Sequence, residues 1–183
     1  KRIDANLLNV PMDDLADIPS SIFTDRMAAI QARSNGKLVV KEYPTGSAHA
    51  GHFRALIGEL AMKKNFVPDV IIVDYINICS SVRFKMGGQT NSYTYVKSIA
   101  EELRGLAVEY NLPCLTATQF NREGFDNSDP SLTNTSESFG LPQTADLQVA
   151  LVTSEELDQD GLLMVKQLKN RYADTSKYRR FTI

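Results

Sequence analysis

The run Val70-Ile71-Ile72-Val73 restricts the fold of this chain more than any other feature, because it shows no polar alternation and ends on a carboxylate, Asp74. Strands covered on one face alternate apolar and polar side chains, whereas an unbroken apolar run is the mark of a parallel strand covered by helices on both faces. An acid inside such a strand would be costly to desolvate, so Asp74 belongs at the carboxyl end, where open parallel sheets bind ligands. A carboxylate in that position can hold magnesium, directly or through water, against nucleotide phosphates. It can equally cap the following loop, and the residues alone leave both readings open.

The surrounding sequence supplies the rest of an α/β pattern. Short helical pieces are expected at 1–9 and 12–16, and an amphipathic helix at 20–34 that is capped by Ser20 or Ser21 and ended by Asn35-Gly36. Strand 38–43, helix 52–65, strand 68–75, helix 92–111 and strand 112–120 then alternate, which predicts a parallel sheet with right-handed crossovers. In helix 92–111 the residues Val96, Ile99, Ala100, Leu103, Ala107 and Tyr110 share one face, with Lys97, Glu101, Arg104 and Glu109 outside it. Strands at 146–154, 161–172 and 177–183, joined by turns at 158–161 and 173–176, are expected to be antiparallel.

With 183 residues, 43% of them hydrophobic, the chain is long enough for one packed core and is read as a single domain, 1–183. It opens within or just after a helix and closes on a strand still in progress, so it is expected to be a fragment cut at both ends. The net charge of −2 supplies no global basic field for nucleic acid, so any such contact must come from a local loop or from a ring of subunits. The two cysteines, Cys79 and Cys114, lie in apolar contexts, and nothing resembles a secretory signal or a membrane span. A reducing, cytoplasmic setting without membrane attachment is expected.

Gln119, at the end of the strand after Asp74, can donate to a phosphate and accept from a loop, and so can report whether a terminal phosphate is present. Lys169 and Arg171 lie two apart in a predicted strand and face the same way, a pairing suited to a phosphate held by a neighbouring subunit or to a solvated edge. The long polar connection 120–143 holds Asn121, Arg122, Ser136, Glu137, Ser138 and Gly140, which can follow a sugar-phosphate backbone. Residues 46–51, GSAHAG, have phosphate-loop spacing, but His52-Phe53 follows where Lys-Ser/Thr is required, so the segment is read as the start of a helix. His49 and His52 are the only histidines and lack partners for a zinc site or a nucleophilic triad.

Taken together, VIIVDYINICSS, KSIAEELRGLAVEYNLPCLTATQFNREG, ESFGLPQTADLQVALV and the late KNRY resemble the motor domain of DnaB-type replicative DNA helicases, those of T-even-type bacteriophages in particular. The resemblance implies a RecA-like fold, with a mostly parallel central sheet flanked by helices and antiparallel strands at its C-terminal end. It implies that Asp74 is the Walker B aspartate holding magnesium and that Gln119 senses the γ-phosphate. Lys169 and Arg171 become the lysine and arginine finger that reach the next subunit's site. Glu137, Ser138 and Gly140 fall near the family's DNA-contacting loop, with Ser136 standing where bacterial members carry an arginine; Arg122, in the same polar connection, adds a charge contact to DNA on the reading of the residues alone. The cofactors implied are ATP or another nucleoside triphosphate and Mg2+. The partners are single-stranded DNA traversed 5′ to 3′, further copies in a six-membered ring, a primase and other replisome proteins, in the cytoplasm of a phage-infected bacterial host.

In that family the phosphate loop and the catalytic glutamate lie upstream of the residue matching Lys1. The chain by itself is therefore expected to be inactive, with a gap in its core that an upstream segment or self-association fills. The alternatives are a RecA-type recombinase-like ATPase and a non-catalytic ring subunit with a degenerate nucleotide site.

Overall fold

A computed structural model describes residues 1–84, 91–120, 130–132 and 140–183. The chain forms two compact units, Lys1–Glu42 and Tyr43–Ile183.

The first unit contains helix α1 (Arg2–Leu8), one 3-10 turn (Asp14–Ala16) and helix α2 (Ser20–Arg33). Asn9 ends α1 in the left-handed conformation, φ 52°, which returns its N–H to the carbonyls of Ala5 and Asn6. Helix α2 begins one residue earlier than a serine cap would have it: Pro19 is the cap and Ser20 the first helical residue. It stops at Ser34 in extended conformation, just before Asn35-Gly36. The strand expected at 38–43 does not form, and Leu38 and Val40 are exposed. A strand needs a neighbouring backbone to bond, and no described strand pairs there, so local propensity is not enough.

The second unit runs α3 (Ala50–Lys64), β1 (Ile71–Val73), α4 (Ser92–Tyr110), β2 (Cys114–Thr116), α5 (Gly140–Thr144), β3 (Leu147–Val152), α6 (Glu155–Gln159), β4 (Met164–Asn170) and β5 (Arg180–Thr182). β1 and β2 are parallel, with Ile71 opposite Cys114 and Val73 opposite Thr116, and α4 is the crossover between them. β3, β4 and β5 form a separate antiparallel sheet in chain order, as the C-terminal pattern predicts. The short helix α6 lies where only a turn was expected.

Helix α4 starts under the Asn91 side chain, which accepts from Thr94 N at 2.8 Å, and ends at Asn111 in the left-handed region. Its buried face holds Val96, Ile99, Ala100 and Leu103 as expected, and adds Tyr95, Ser98 and Leu106, the last 0% exposed. These side chains join Phe53 and Ile57 of α3, Val73 of β1, Ile76 and Leu141 in one core. The two-sided covering predicted for residues 70–73 is met on one side only. Val73 is buried, but Ile72 is 67% exposed and its neighbour Leu115 on β2 is 55% exposed, so nothing described lies over that face. Both cysteines are free, and burial pushes the Cys114 thiol up to about 11, which leaves no reactive thiolate near neutrality.

The start of α3 resolves GSAHAG. His49 is the cap: its Nδ1 accepts from Gly51 N at 3.0 Å, while His52 Nδ1 accepts from His49 N at 3.3 Å. A Cβ on Gly51 would come within 2.8 Å of the His49 ring, so glycine there makes room for the cap. Both rings must be unprotonated at Nδ1, and a cation at a helix N-terminus is unfavourable. Burial, then the neighbouring His52, holds the His49 pKa below its ordinary value, against an opposing pull from Glu102. A depressed pKa favours the neutral ring in the folded state, so this cap is complete above pH about 6.5 and is lost as the pH falls below it. Amide exchange at Gly51 should therefore accelerate beyond the intrinsic trend as the pH falls below about 6.5 and through the lowered His49 pKa. His49→Asn, which caps without titrating, should remove that dependence, and an unchanged pH profile in that variant would count against the histidine cap.

Candidate functional site

Asp74 stands one residue beyond β1 and Gln119 three residues beyond β2, both exposed and both at the carboxyl end of the parallel pair. β2 stops at Thr116 instead of running to Phe120, so Gln119 is carried by a loop. Three bonds hold the two chain ends together: Thr116 Oγ1 to Val73 O at 2.8 Å, Ile76 N to Ala117 O at 3.2 Å, and Thr118 Oγ1 to Asn77 Oδ1 at 2.8 Å. Neither Asp74 nor Gln119 has a bonded partner among the described residues. No set of three ligating side chains gathers among those residues either. One exposed carboxylate fits magnesium, which takes one or two protein oxygens and completes its shell with phosphate and water, better than it fits calcium or zinc.

A second group of charges forms around the end of α5. Lys169 Nζ donates to Pro142 O and, at 2.8 Å, to Ala145 O. Arg171 donates to Asp146 Oδ1 at 2.6 Å and to Gln143 O at 3.2 Å. Arg104, from the polar side of α4, donates to Thr144 O and Asp146 Oδ2, each at 2.8 Å. The carbonyls of 142 to 145, which a helix end leaves without internal partners, thus each receive a cationic donor. Asp146 is flanked by two guanidiniums, and the hydrogen bond from Arg104 holds its carboxyl below the usual carboxylate range. Burial, then Arg171, lowers the Lys169 pKa.

Lys169 and Arg171 therefore do act on one side, but a strict alternation of β4 would misplace them. Gln148 pairs with Lys169 and Val149 with Gln167, so Leu168 is a surplus residue in the ladder. This bulge puts Lys169 on the same face as Lys166, which is 4% exposed and donates to Pro130 O at 2.6 Å. Arg104 and Asp146 were not singled out in the sequence. Asp146 carried a legible signal, an acid beside an apolar strand run, but at the amino end of that strand.

Of the loop residues, Arg122, Glu137 and Ser138, with Asn121 and Ser136, lie outside the described residues. Gly140 is buried as the first residue of α5, where an added Cβ would stand 2.9 Å from Lys97 Cβ on α4. Its smallness thus has a packing reason. Gly140→Ala should cost about 1–3 kcal/mol of stability in urea unfolding. Gly105→Ala, in open space on α4, should be neutral or stabilise by up to about 1 kcal/mol. Equal effects of the two would refute the close approach.

Comparison with known proteins gives one consistent picture. The family model of the DnaB-like helicase C terminal domain matches residues 6–179. The chain is 47% identical to the DnaB-like replicative helicase of Enterobacteria phage T4 over 99% of its own length, and spans 38% of that relative. Two solved structures superpose over the whole chain, each at 16% identity. One, described as an ATPase domain, has a TM-score of 0.74 with 64% of that chain covered. The other, a DnaB-like replicative helicase described together with its interactions with primase, has a TM-score of 0.73 with 44% covered.

Proposed function

Because the chain belongs to the DnaB-like helicase C-terminal domain family and has the RecA-like α/β fold of its solved relatives, we propose that it is the C-terminal motor portion of a phage-type replicative DNA helicase. In the whole protein it works as an ATP-dependent ring, six subunits around single-stranded DNA moving 5′ to 3′, alongside a primase and in the host cytoplasm. No described helix is long and apolar enough to cross a membrane.

The observation that carries this reading is the shared edge of Asp74 and Gln119, two exposed polar tips at the carboxyl ends of adjacent parallel strands, without partners among the described residues. Asp74 would hold Mg2+, which when bound neutralises charge on the nucleotide phosphates. Gln119 reads the terminal phosphate, and its loop leads into 120–143, where Arg122, Glu137 and Ser138 are assigned to the DNA-facing segment, with Gly140 packed against α4 where that segment ends. Arg171, with Lys169, stabilises transition-state charge in the adjoining subunit's site.

In the full-length protein, Arg171→Ala should reduce DNA-stimulated hydrolysis by on the order of a thousandfold. Binding of a non-hydrolysable nucleotide by the same subunit should stay within a few fold in an equilibrium titration. Undiminished hydrolysis would remove the finger assignment.

A further inference from the structure

Arg171 is 43% exposed, yet it is not loose. Its backbone N donates to Asp146 O at 2.9 Å and its side chain returns to the carboxylate of the same residue at 2.6 Å, so the two residues are joined twice. The other oxygen of that carboxylate takes a hydrogen bond from the Arg104 guanidinium at 2.8 Å. Arg104 in turn rises from α4 between the buried Leu103 and Leu106, so its root is fixed in the core. A rigid helix thus holds an arginine, the arginine holds an aspartate, and the aspartate holds the guanidinium of Arg171.

We propose that Asp146 is the positioning residue of the arginine finger, with Arg104 as the strut that holds Asp146. This rests on the reading of Arg171 given above. An unrestrained arginine carries considerable rotamer entropy, which a partner that fixes its direction removes before the neighbouring nucleotide arrives. The restraint does not consume the finger. A guanidinium has five N–H donors, and Arg171 uses one for Asp146 and one for Gln143 O, leaving the others without a described partner and available to a phosphate. Lys169 differs, since its ammonium is committed to two carbonyls of the α5 end. Asp146 alone would cancel the finger's charge; Arg104 restores one net positive charge to the group. The same carbonyl contacts tie the finger to α5, which is the end of the connection assigned to DNA.

The test uses the full-length protein. Asp146→Asn keeps the shape but turns an acceptor toward one guanidinium into a donor. It should lower kcat of DNA-stimulated hydrolysis roughly tenfold to a hundredfold, the scale expected for a misplaced catalytic group, while KM for the nucleotide and affinity for single-stranded DNA stay within about twofold. The decisive readout is mixing. An Asp74→Ala subunit has a dead site but an intact finger, so rings mixed from D74A and D146N protomers should hydrolyse several-fold faster than either variant alone. Mixing D74A with R171A is the control for the finger itself.

Recovery in both mixtures bears the proposal out. Recovery with R171A but not with D146N means that Asp146 only secures α5 in its own subunit, which overturns the proposal and leaves the finger standing. Failure of both mixtures overturns the finger reading and the proposal with it. Native kcat in D146N also overturns the proposal. If D146N does not assemble, Arg104→Gln is read in the same mixtures, where recovery with D74A bears the proposal out and no recovery overturns it.

Discussion

The buried stripe of α4, from Tyr95 through Val96, Ile99 and Leu103 to Leu106, is what α3, β1, Ile76 and Leu141 of the larger unit pack against. Complete burial of a leucine such as Leu106 is worth about 2 kcal/mol, and several such residues in line make the helix a rigid reference. On its other side the same helix is polar, and its polar residues tie the segments around it. Glu102 accepts from Ser81 Oγ and from the backbone of Val82, while Arg83 pairs with Glu101 at 2.6 Å. Glu109 accepts a two-pronged bond from Arg54 on α3. Arg104 holds the start of β3. The two groups of site residues are thus referred to one element: Asp74 through Val73 and Ile76 in the core, and Arg171 through Asp146 and Arg104.

Helices α1 to α4 and their order were legible in the sequence because each is bounded by chemistry that acts locally, whereas the one-turn helices α5 and α6 were not. α1, α3 and α4 all end on asparagine in the left-handed region, at Asn9, Asn65 and Asn111. The apolar face of α4 can be read directly from its period. Strands were harder. The runs at 68–75 and 112–120 contain three-residue ladders, because the ladder lasts only as long as a neighbour is present to bond. For the same reason segment 38–43 forms no strand, and Ile72 and Leu115 remain exposed.

Among the candidate site residues, Asp74 and Gln119 were legible as polar residues that follow apolar strand runs, which places both at the carboxyl end of the parallel pair. Lys169 and Arg171 were legible as a pair, from their spacing. The joint role of Asp146 and Arg104 was not, because it is relational: the acid at the start of its strand gains it only when β3, β4 and α4 bring the guanidiniums of Arg104 and Arg171 within 3 Å of its carboxylate. The histidines show the opposite case. GSAHAG followed by His52 has the outline of a phosphate cradle, and the structure spends both rings on satisfying backbone N–H groups at the start of α3.

The surplus residue at Leu168 sits between the regular ladder of β4 and its cationic tip. A hairpin built this way has slack at one defined place. Removing Leu168 would leave Gln148 facing Lys169 and Val149 facing Gln167, so the reach of the tip can change by one backbone step without rethreading the strands on either side. Variation in how far the tip that carries Lys169 and Arg171 reaches has, at this position, a route that leaves the regular ladder of β4 untouched.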